Sequence, residues 1–370
     1  MSDNSDGGND VVDIGWGERI RDSLIAPLVG LVVFFGSIGL LFWNEGRAVS
    51  AFAALDRGAR IVVDVPADRV DPAHEGKLVH LTGQAKASGT LIDTATGIGG
   101  SGLLRLERHV EMYQWTEHKS DKQIEYRREW SASPQNSDSF RNRQGHENPR
   151  MALQAASLVN AGVTLGAFAI DPRVTGEAEP LEDYPVATMK PTGGFRPSGN
   201  GLYQGQDPAN PRIGDLRVTY RAVQAGDLSV IAAQRNGRLL PYLTPDGPSI
   251  ALVQTGFWGA ADMFKTARDQ ESVLTWIMRL VGVIVMFVSI LLIFKPFSAL
   301  LGGIPLIGDL FDAGVGLVAF VIALPLSLAV IGFAWLFYRP LMAIGIFAAG
   351  AAIAAAVVWW RRQRKPAPAT

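Results

Sequence analysis

The side chains most capable of chemistry are five histidines in one third of the polar middle region, at positions 74, 80, 109, 118 and 146. Together with Glu111, Glu117 and Asp138 they offer the donors of a metal site. However, no pair has the i, i+4 spacing or the HExxH pattern of zinc enzymes on a helix. His109 and Glu111 share a predicted strand face with Arg105 and Glu107, which is typical of a solvated charge ladder. We therefore expect no metal, no cofactor and no catalytic residue.

A second polar group is the segment Gly-His-Glu-Asn-Pro at 145–149. Its composition favours a structured loop in which His146 and Asn148 bond to the backbone, rather than a catalytic site. Trp115 is expected to be a core or cross-strand aromatic residue. No Gly-x-Ser-x-Gly elbow, P-loop or dinucleotide fingerprint follows a predicted strand. An enzyme acting on lipid or envelope polymer through His80, Glu111 or His146 stays an alternative.

The elements that carry these residues include four long apolar runs. An apolar run of about 18 or more residues is long enough to cross a bilayer as a helix. The predicted spans are 23–43, 272–294, 315–338 and 341–360. A cleaved signal peptide ending near Ala48-Val49-Ser50 is the alternative for the first run, but its leader would be unusually long.

Positive charge sets the expected orientation, because Lys and Arg are enriched on the cytoplasmic side. The tail 361–370 contains Arg361, Arg362, Arg364 and Lys365. The C-terminus is therefore expected to be cytoplasmic, and with four crossings a disordered N-terminus, 1–22, lies on the same side. The short link Arg339-Pro340 between the last two spans is expected on the opposite side, with only one charge against the rule.

Charged residues near the apolar runs invite functional interpretation. Arg279 lies about two turns inside the second span, near enough to the end to reach the interface. The loop 295–314 is apolar but contains Asp309 and Asp312. One interpretation is an amphipathic cytoplasmic hairpin whose carboxylates face water. The other is a loop that docks a partner or a second copy.

The region 44–271 is predicted to be a mainly-β (α+β) extramembrane domain. Alternation over 103–115, followed by the run 123–130, predicts a β-hairpin, and 215–223 with 228–234 predicts another. Asn236-Gly237 predicts a further tight turn. The Pro- and Gly-rich stretch 171–212 is expected to be irregular and is a candidate boundary between two lobes of the domain. Residues 260–268 are predicted to be helical and to run into the second span.

Several sequence blocks resemble the transmembrane protein 43 family, also called LUMA. The first is Trp43-Asn44-Glu45-Gly46-Arg47-Ala48-Val49, and the strongest is Leu-Glu-Arg-His-Val-Glu-Met-Tyr-Gln-Trp at 106–115. Others are 75–83, 138–140, 145–149, 165–168, 213–218, 294–297 and 304–310. Together they extend in the family's order from about Trp43 to Tyr338.

The resemblance implies four spans with a large loop in the lumen or periplasm, and no catalytic residues. Animal members of the family lie in the endoplasmic reticulum and inner nuclear membrane, where they self-associate and act as scaffolds. Trp43, Glu45 and Arg47 thereby become candidate interaction residues. The residue usage of the chain is typical of bacteria, which implies the inner membrane with a periplasmic domain.

The expected function is a non-enzymatic, multi-pass membrane scaffold that acts through self-association and partner binding. The expected partners are the lipid bilayer, further copies of the chain and other membrane or envelope proteins. A net charge of −1 argues against nucleic acid. An oligomeric channel or transporter component is the remaining alternative.

Overall fold

The computed structural model describes residues 10–13, 16–120, 123–245, 247–301 and 307–363. The helices in these ranges are α1 (Trp16–Ile61), α2 (Pro172–Thr175), α3 (Ala260–Leu301), α4 (Ile307–Tyr338) and α5 (Pro340–Gln363). The described residues form two compact units. The helical unit contains 16–53 and the chain from 268 onward, and the β unit contains 54–267 with the first strand.

The strands of the β unit are mostly short. In chain order they are β1 (Asp10–Asp13), β2 (Val63–Asp64), β3 (Leu78–Ala87), β4 (Thr90–Asp93), β5 (Ile98–Ser101), β6 (Leu103–Lys119), β7 (Gln123–Ser131), β8 (Ala156–Val159), β9 (Val163–Leu165), β10 (Phe168–Ile170), β11 (Ala178–Glu179), β12 (Glu182–Asp183), β13 (Arg196–Ser198), β14 (Gly201–Gln204), β15 (Leu216–Gln224), β16 (Asp227–Arg235), β17 (Arg238–Leu240) and β18 (Leu252–Thr255).

Three helices of the described chain are long and apolar enough to cross a membrane, and they lie within Ile25–Ile61, Ala260–Pro296 and Gly314–Tyr338. The fourth predicted span, 341–360, does form a helix, α5. It is not among the three candidates, and several of its side chains lie outside the described part of the chain. The predicted count of four is therefore matched for three spans only.

Two of these helices extend beyond the predicted spans. Helix α1 does not end at Trp43 but continues to Ile61, so the β domain begins later than residue 44. The extension is stabilised because Leu55 and Ala59 pack against Leu78 and Phe264 of the β unit. Helix α3 runs without interruption from Ala260, which confirms that the helical segment continues into the second span.

The link between α3 and α4 is shorter than the predicted loop 295–314. Helix α3 continues through Pro296 to Leu301, and α4 begins at Ile307. Residues 302–306 lie outside the described ranges.

The helical unit has its own apolar core. Leu41 of α1 packs with Met286 and Ile290 of α3 and with Ala319 and Ala323 of α4. A Cβ atom added at Gly282 would lie 2.7 Å from Cγ of Leu41, so α1 and α3 approach closely at this point. Small residues permit such close helix contacts in membranes.

In the β unit, the first sheet has the order β1-β7-β6-β15-β14-β13, with β8 and β12 at its sides. The predicted hairpin is confirmed, since β6 and β7 pair antiparallel from Met112↔Ser131 to Lys119↔Ile124. The predicted alternation is confirmed too, because Leu104, Leu106, Val110 and Met112 are all buried.

The second sheet closes on itself. Strands β3, β9, β10, β17 and β16 pair in a ring, with β3 bonded again to β16. A barrel this small has an interior filled by side chains. Val79, Leu81, Phe168, Val230 and Leu239 belong to that core.

The prediction that 215–223 and 228–234 form a hairpin is wrong. Strand β15 lies in the first sheet and β16 in the second. The pairing of β15 shifts register between Val223 and Gln224. The side chain of Ala222 enters the core of the first sheet, and that of Val223 enters the barrel core. By contrast, the turn at Asn236-Gly237 is confirmed, with φ of 51° and 71° between β16 and β17.

The stretch 171–212 is irregular, as expected, but it does not divide the domain into two lobes along the chain. Its strands join both sheets, since β11 pairs with β18 while β12 and β14 pair with β15. Both sheets also contain strands from before and after it. Because successive parts of the chain join different sheets, no point in the sequence divides the domain into two lobes.

The N-terminal segment 1–22, predicted to be disordered, contains strand β1, and α1 begins within it at Trp16. Val11 and Val12 lie opposite Glu125 and Ile124 of β7 in an antiparallel pairing. Residues 1–9 and 14–15 lie outside the described ranges.

The barrel core provides a test of the fold. We expect Phe168→Ala to destabilise the β unit by about 3–5 kcal/mol, because a buried aromatic ring leaves a cavity. This corresponds to a fall in melting temperature of roughly 6–20 °C. Leu243→Ala, at an exposed apolar position, is the control and should change it little. Equal melting temperatures for both variants in detergent would contradict the closed barrel.

Candidate functional site

Glu45, on α1, forms a buried ion pair with Arg279 of α3. Nε of Arg279 donates to Oε1 of Glu45 at 2.6 Å, and Nη2 donates to Oε2 at 2.9 Å. The Glu45 side chain is 1% exposed and that of Arg279 is 15% exposed. A bidentate pair of this kind is the geometry in which a buried carboxylate and guanidinium satisfy each other.

Aromatic rings complete this pair. The indole Nε1 of Trp335, on α4, donates to Oε2 of Glu45 at 2.8 Å. The Arg279 guanidinium lies 4.7 Å from the ring centre of Trp276 and 5.9 Å from that of Trp335. Cation–π contacts of this type strengthen when the cation is desolvated. One carboxylate therefore joins α1, α3 and α4.

A second layer of polar contacts lies one turn away. Arg47 forms a 2.6 Å ion pair with Glu271, and its other nitrogen lies 3.4 Å from Oγ1 of Thr275. Asn44 donates to the backbone oxygen of Thr275 at 3.3 Å. We call these residues the Glu45 network: Asn44, Glu45, Arg47, Glu271, Thr275, Arg279 and Trp335.

The network marks one end of the helical unit. It contains the C-terminal end of the first apolar run, the N-terminal end of the second and the last turn of α4. Trp43 and Trp276, 55% and 65% exposed, lie in the same segments. The Tyr338 ring closes over Gly46, where a Cβ would lie within 3 Å of it. Tryptophan and tyrosine at matching helix ends are typical of a membrane–water interface.

Four of the sequence-predicted residues, Trp43, Glu45, Arg47 and Arg279, thus belong to one end of the unit. No partner was predicted for Arg279, which was expected to reach the interface alone. The available signal was that an isolated arginine in an apolar run requires a partner. Asp309 and Asp312 fall in the first turns of α4, and their side chains lie outside the described residues.

Glu111, in the β unit, lies in a charge ladder rather than a site. It pairs with Arg217, directly opposite on β15. On the same face Arg105 pairs with Glu107, and Glu107 lies 3.6 Å from His109. The predicted charge ladder is present, but it is solvated only in part, since the side chains of Arg105 and Glu107 are each 18% exposed.

Trp115, His146 and Asn148 come together beneath the loop that follows β7. The His146 ring stacks on Tyr126 at 4.0 Å and meets the edge of Trp115 at 4.7 Å. Asn148 accepts from the backbone N–H of Trp115 at 2.8 Å and donates to its carbonyl oxygen at 2.9 Å. The predicted loop with side-chain to backbone bonds is confirmed.

His80 lies apart from this cluster, on the barrel strand β3. Its ring nitrogens lie 2.5 Å from Oδ1 of Asp64 and 2.9 Å from the carbonyl oxygen of Trp258. The side chain therefore joins β2, β3 and the segment before α3. Among the described residues no three His, Asp or Glu side chains are placed to hold a metal ion.

A buried network that the sequence analysis missed centres on Asp93. Nη1 of Arg108 lies 2.6 Å from both carboxylate oxygens, and the Tyr220 hydroxyl donates to Oδ2 at 2.6 Å. Burial alone would raise the pKa of Asp93, but bonds from Tyr220 and Arg108 outweigh it and hold that pKa below its usual value. The signal that could have revealed this network is Arg108, a charged residue at a core-facing position of β6.

The β unit also has an open cleft of about 430 Å³ where the two sheets meet. Its lining includes Glu182, Asp183, Tyr184, Asp227 and Thr255. None of the residues singled out from the sequence lines it. Asp227 accepts from Gln84, and Asp183 lies 3.8 Å from Arg221.

Apolar helices joined by a charged network, with a mainly-β domain inserted after the first, define a polytopic membrane protein. The family model of transmembrane protein 43 matches residues 112–340, well over half of the chain. Transmembrane protein 43 of Pongo abelii is 32% identical over 95% of this chain and 93% of its own length. The human protein is 31% identical over the same shares, and the Drosophila melanogaster homolog is 27% identical over 93% and 96%. The chain belongs to the transmembrane protein 43 family. No solved structure gives a significant match.

The Glu45–Arg279 pair can be tested by a double-mutant cycle. Glu45→Gln or Arg279→Gln alone should cost about 3–5 kcal/mol, because each leaves the other charge buried and unpaired. The double variant should recover part of this loss, giving a coupling above about 1 kcal/mol. Reversible unfolding in bicelles measures these values. The Arg47–Glu271 pair, which is more exposed, is the control and should couple less. Additive losses at Glu45 and Arg279 would contradict the pair.

The Asp93 network predicts a pH dependence. Folding lowers the pKa of Asp93. The stabilisation of the folded state by its carboxylate is therefore complete above about pH 4, near the unfolded pKa. That stabilisation is lost as the pH falls through the lower folded pKa. We expect the melting temperature of wild-type protein to fall more steeply below about pH 4 than that of Asp93→Asn. Parallel profiles would show that Asp93 gains nothing from its partners.

Proposed function

We propose that this protein is a non-enzymatic membrane scaffold that acts by self-association and by binding other membrane or envelope proteins. The observation that supports this most is the Glu45 network, which joins three helices through a single buried carboxylate. An association platform needs elements whose geometry is fixed, because every flexible part raises the entropy cost of binding.

The polar groups of the β unit support a structural role. The carboxylate of Asp93 is saturated by Arg108 and Tyr220. His146 is enclosed by two aromatic rings, and both nitrogens of His80 face oxygen atoms of the unit. An enzyme requires a nucleophile, acid or base that reaches a substrate. Asp93, His146 and His80 instead contact neighbouring groups of the β unit, and so we propose a protein without catalytic activity.

The interior of the helical unit also favours a scaffold over a transport path in a single chain. Its core is made of Leu41, Met286, Ile290 and two alanines, with Ser327 bonded to the Met286 sulfur. Ion pathways through membranes are lined by hydrated or ionisable groups. A channel formed by several chains is the alternative that conductance in reconstituted vesicles would reveal.

We propose four crossings, with α5 as the fourth, both termini in the cytoplasm and the β unit on the opposite side. The basic tail 361–370 supports this orientation. We place the protein in a bacterial inner membrane with a periplasmic domain, on the basis of residue usage; the relatives named above are animal proteins. The docking role of Asp309 and Asp312 stays a prediction.

The β1–β7 pairing competes with this orientation. If α1 crosses the membrane, residues 10–13 and the β unit lie on opposite sides and β1 cannot remain on β7. If β1 remains there, the first apolar run does not cross.

Labelling of single cysteines tests the orientation directly, since the chain has no cysteine of its own. In intact spheroplasts a membrane-impermeant maleimide should modify Asp68→Cys. It should reach Ala367→Cys and Asp10→Cys only after lysis. Labelling of Asp10→Cys together with Asp68→Cys would overturn the proposed crossing of α1.

Native mass spectrometry after extraction in native-lipid nanodiscs tests the scaffold itself. We expect a defined homo-oligomer or a stoichiometric protein partner. Release only as a lone monomer, with no protein bound, would contradict association as the mode of action. Turnover of a lipid or envelope polymer by the same preparation would favour the enzyme instead.

A further inference from the structure

Among the residues that the structure describes, Arg339 has no carboxylate partner, and it lies at the end of the helical unit marked by the Glu45 network. It forms the one-residue link between α4 and α5. Its backbone N–H donates to the carbonyl oxygen of Trp335 at 2.8 Å, so it lies one turn from the indole that binds Glu45. Among the residues that the structure describes, no side chain accepts a hydrogen bond from its guanidinium.

The two carboxylates of the Glu45 network are each paired with another arginine of the described chain. The carboxylates of the network, Glu45 and Glu271, are occupied by Arg279 and Arg47. Neither carboxylate is paired with Arg339 among the described residues. A guanidinium near the hydrocarbon boundary is costly unless water, a headgroup or a counter-ion solvates it.

Arg279 also has a donor nitrogen that is not used within the described chain. Arg279 uses Nε and Nη2 on Glu45, while Nη1 donates to no acceptor among the described residues. Both arginines contact the same residue, since Trp335 accepts the backbone bond of Arg339 and its ring faces Arg279. The exposed ring of Trp276 contacts Arg279, and exposed Trp43 lies two residues before Glu45; both are residues of the kind that lie at headgroup depth.

We propose that Arg339 binds the phosphate of a phospholipid headgroup, with Nη1 of Arg279 as a second donor. The guanidinium offers paired N–H groups that match two phosphate oxygens, and a phosphodiester supplies the missing negative charge. The site goes beyond the scaffold function, because it recognises lipid rather than protein. The positive-inside rule disfavours an arginine between α4 and α5 in the proposed orientation. Binding of a lipid phosphate explains why Arg339 is present there.

Lipid retention tests the site. Wild-type protein, Arg339→Gln and Arg339→Lys are reconstituted in nanodiscs of phosphatidylcholine and phosphatidylglycerol in equal parts, then extracted in mild detergent. Bound phospholipid per chain is measured by mass spectrometry. We expect wild-type protein to retain phospholipid stoichiometrically, Arg339→Gln to retain it roughly tenfold less, and Arg339→Lys to fall between them, because lysine keeps the charge without the fork.

Arg69→Gln is the matched control. It removes the same charge from an exposed position of the β unit, and it should retain lipid as wild-type protein does. Equal retention by Arg339→Gln and wild-type protein would overturn the site and show annular lipid only. If Arg339→Gln melts below Arg69→Gln, the comparison rests on Arg339→Lys, and wild-type retention by that variant would overturn bidentate recognition. None of these outcomes depends on oligomeric state, so the scaffold proposal is tested separately.

Discussion

The buried ion pair between Glu45 and Arg279 is the contact on which the helical unit depends most. Two charges at the edge of a hydrocarbon layer are tolerated only when each satisfies the other and the remaining hydrogen-bonding positions are filled. Here the carboxylate receives two guanidinium bonds and one indole bond. Any axial slip of one helix would separate these groups and leave a buried charge unpaired. The pair therefore sets the register of α1, α3 and α4.

Apolar packing alone would not supply this precision. Lipid tails are as apolar as leucine, so helices in a membrane gain little from excluding lipid. Below the network, Leu41, Met286 and Ala319 provide close contact without a unique register. The β unit uses the same division of roles. Its barrel has a core of packed apolar side chains, while the Asp93 network fixes β4, β6 and β15 at one point. In both units, polar contacts that require one geometry complete an apolar core that tolerates several.

Local patterns predicted the local elements. The alternation at 103–115 identified β6 because one face is buried and the other is solvated, and Asn236-Gly237 identified its turn because both residues have positive φ. The predictions that were wrong concern features that depend on contacts distant in sequence. The β15–β16 link resembles a hairpin, but Ala222 and Val223 enter different cores. Helix α1 continues past Trp43 because Leu55 and Ala59 pack on strands that follow much later. For the site, the residue types at 43–47 and 279 drew attention, yet their pairing spans 234 positions and no local pattern encodes it.

Disulfide trapping inside the bilayer tests the central claim most directly, because it reads the α1–α3 register in the membrane itself. Leu41 and Gly282 approach closely enough for a disulfide, and the chain contains no other cysteine. With a membrane-permeant oxidant, Leu41→Cys/Gly282→Cys should cross-link rapidly when Glu45 and Arg279 are intact, and much more slowly when Arg279→Gln is added. Equal cross-linking rates with and without Arg279 would show that apolar packing sets the register, and would contradict this account.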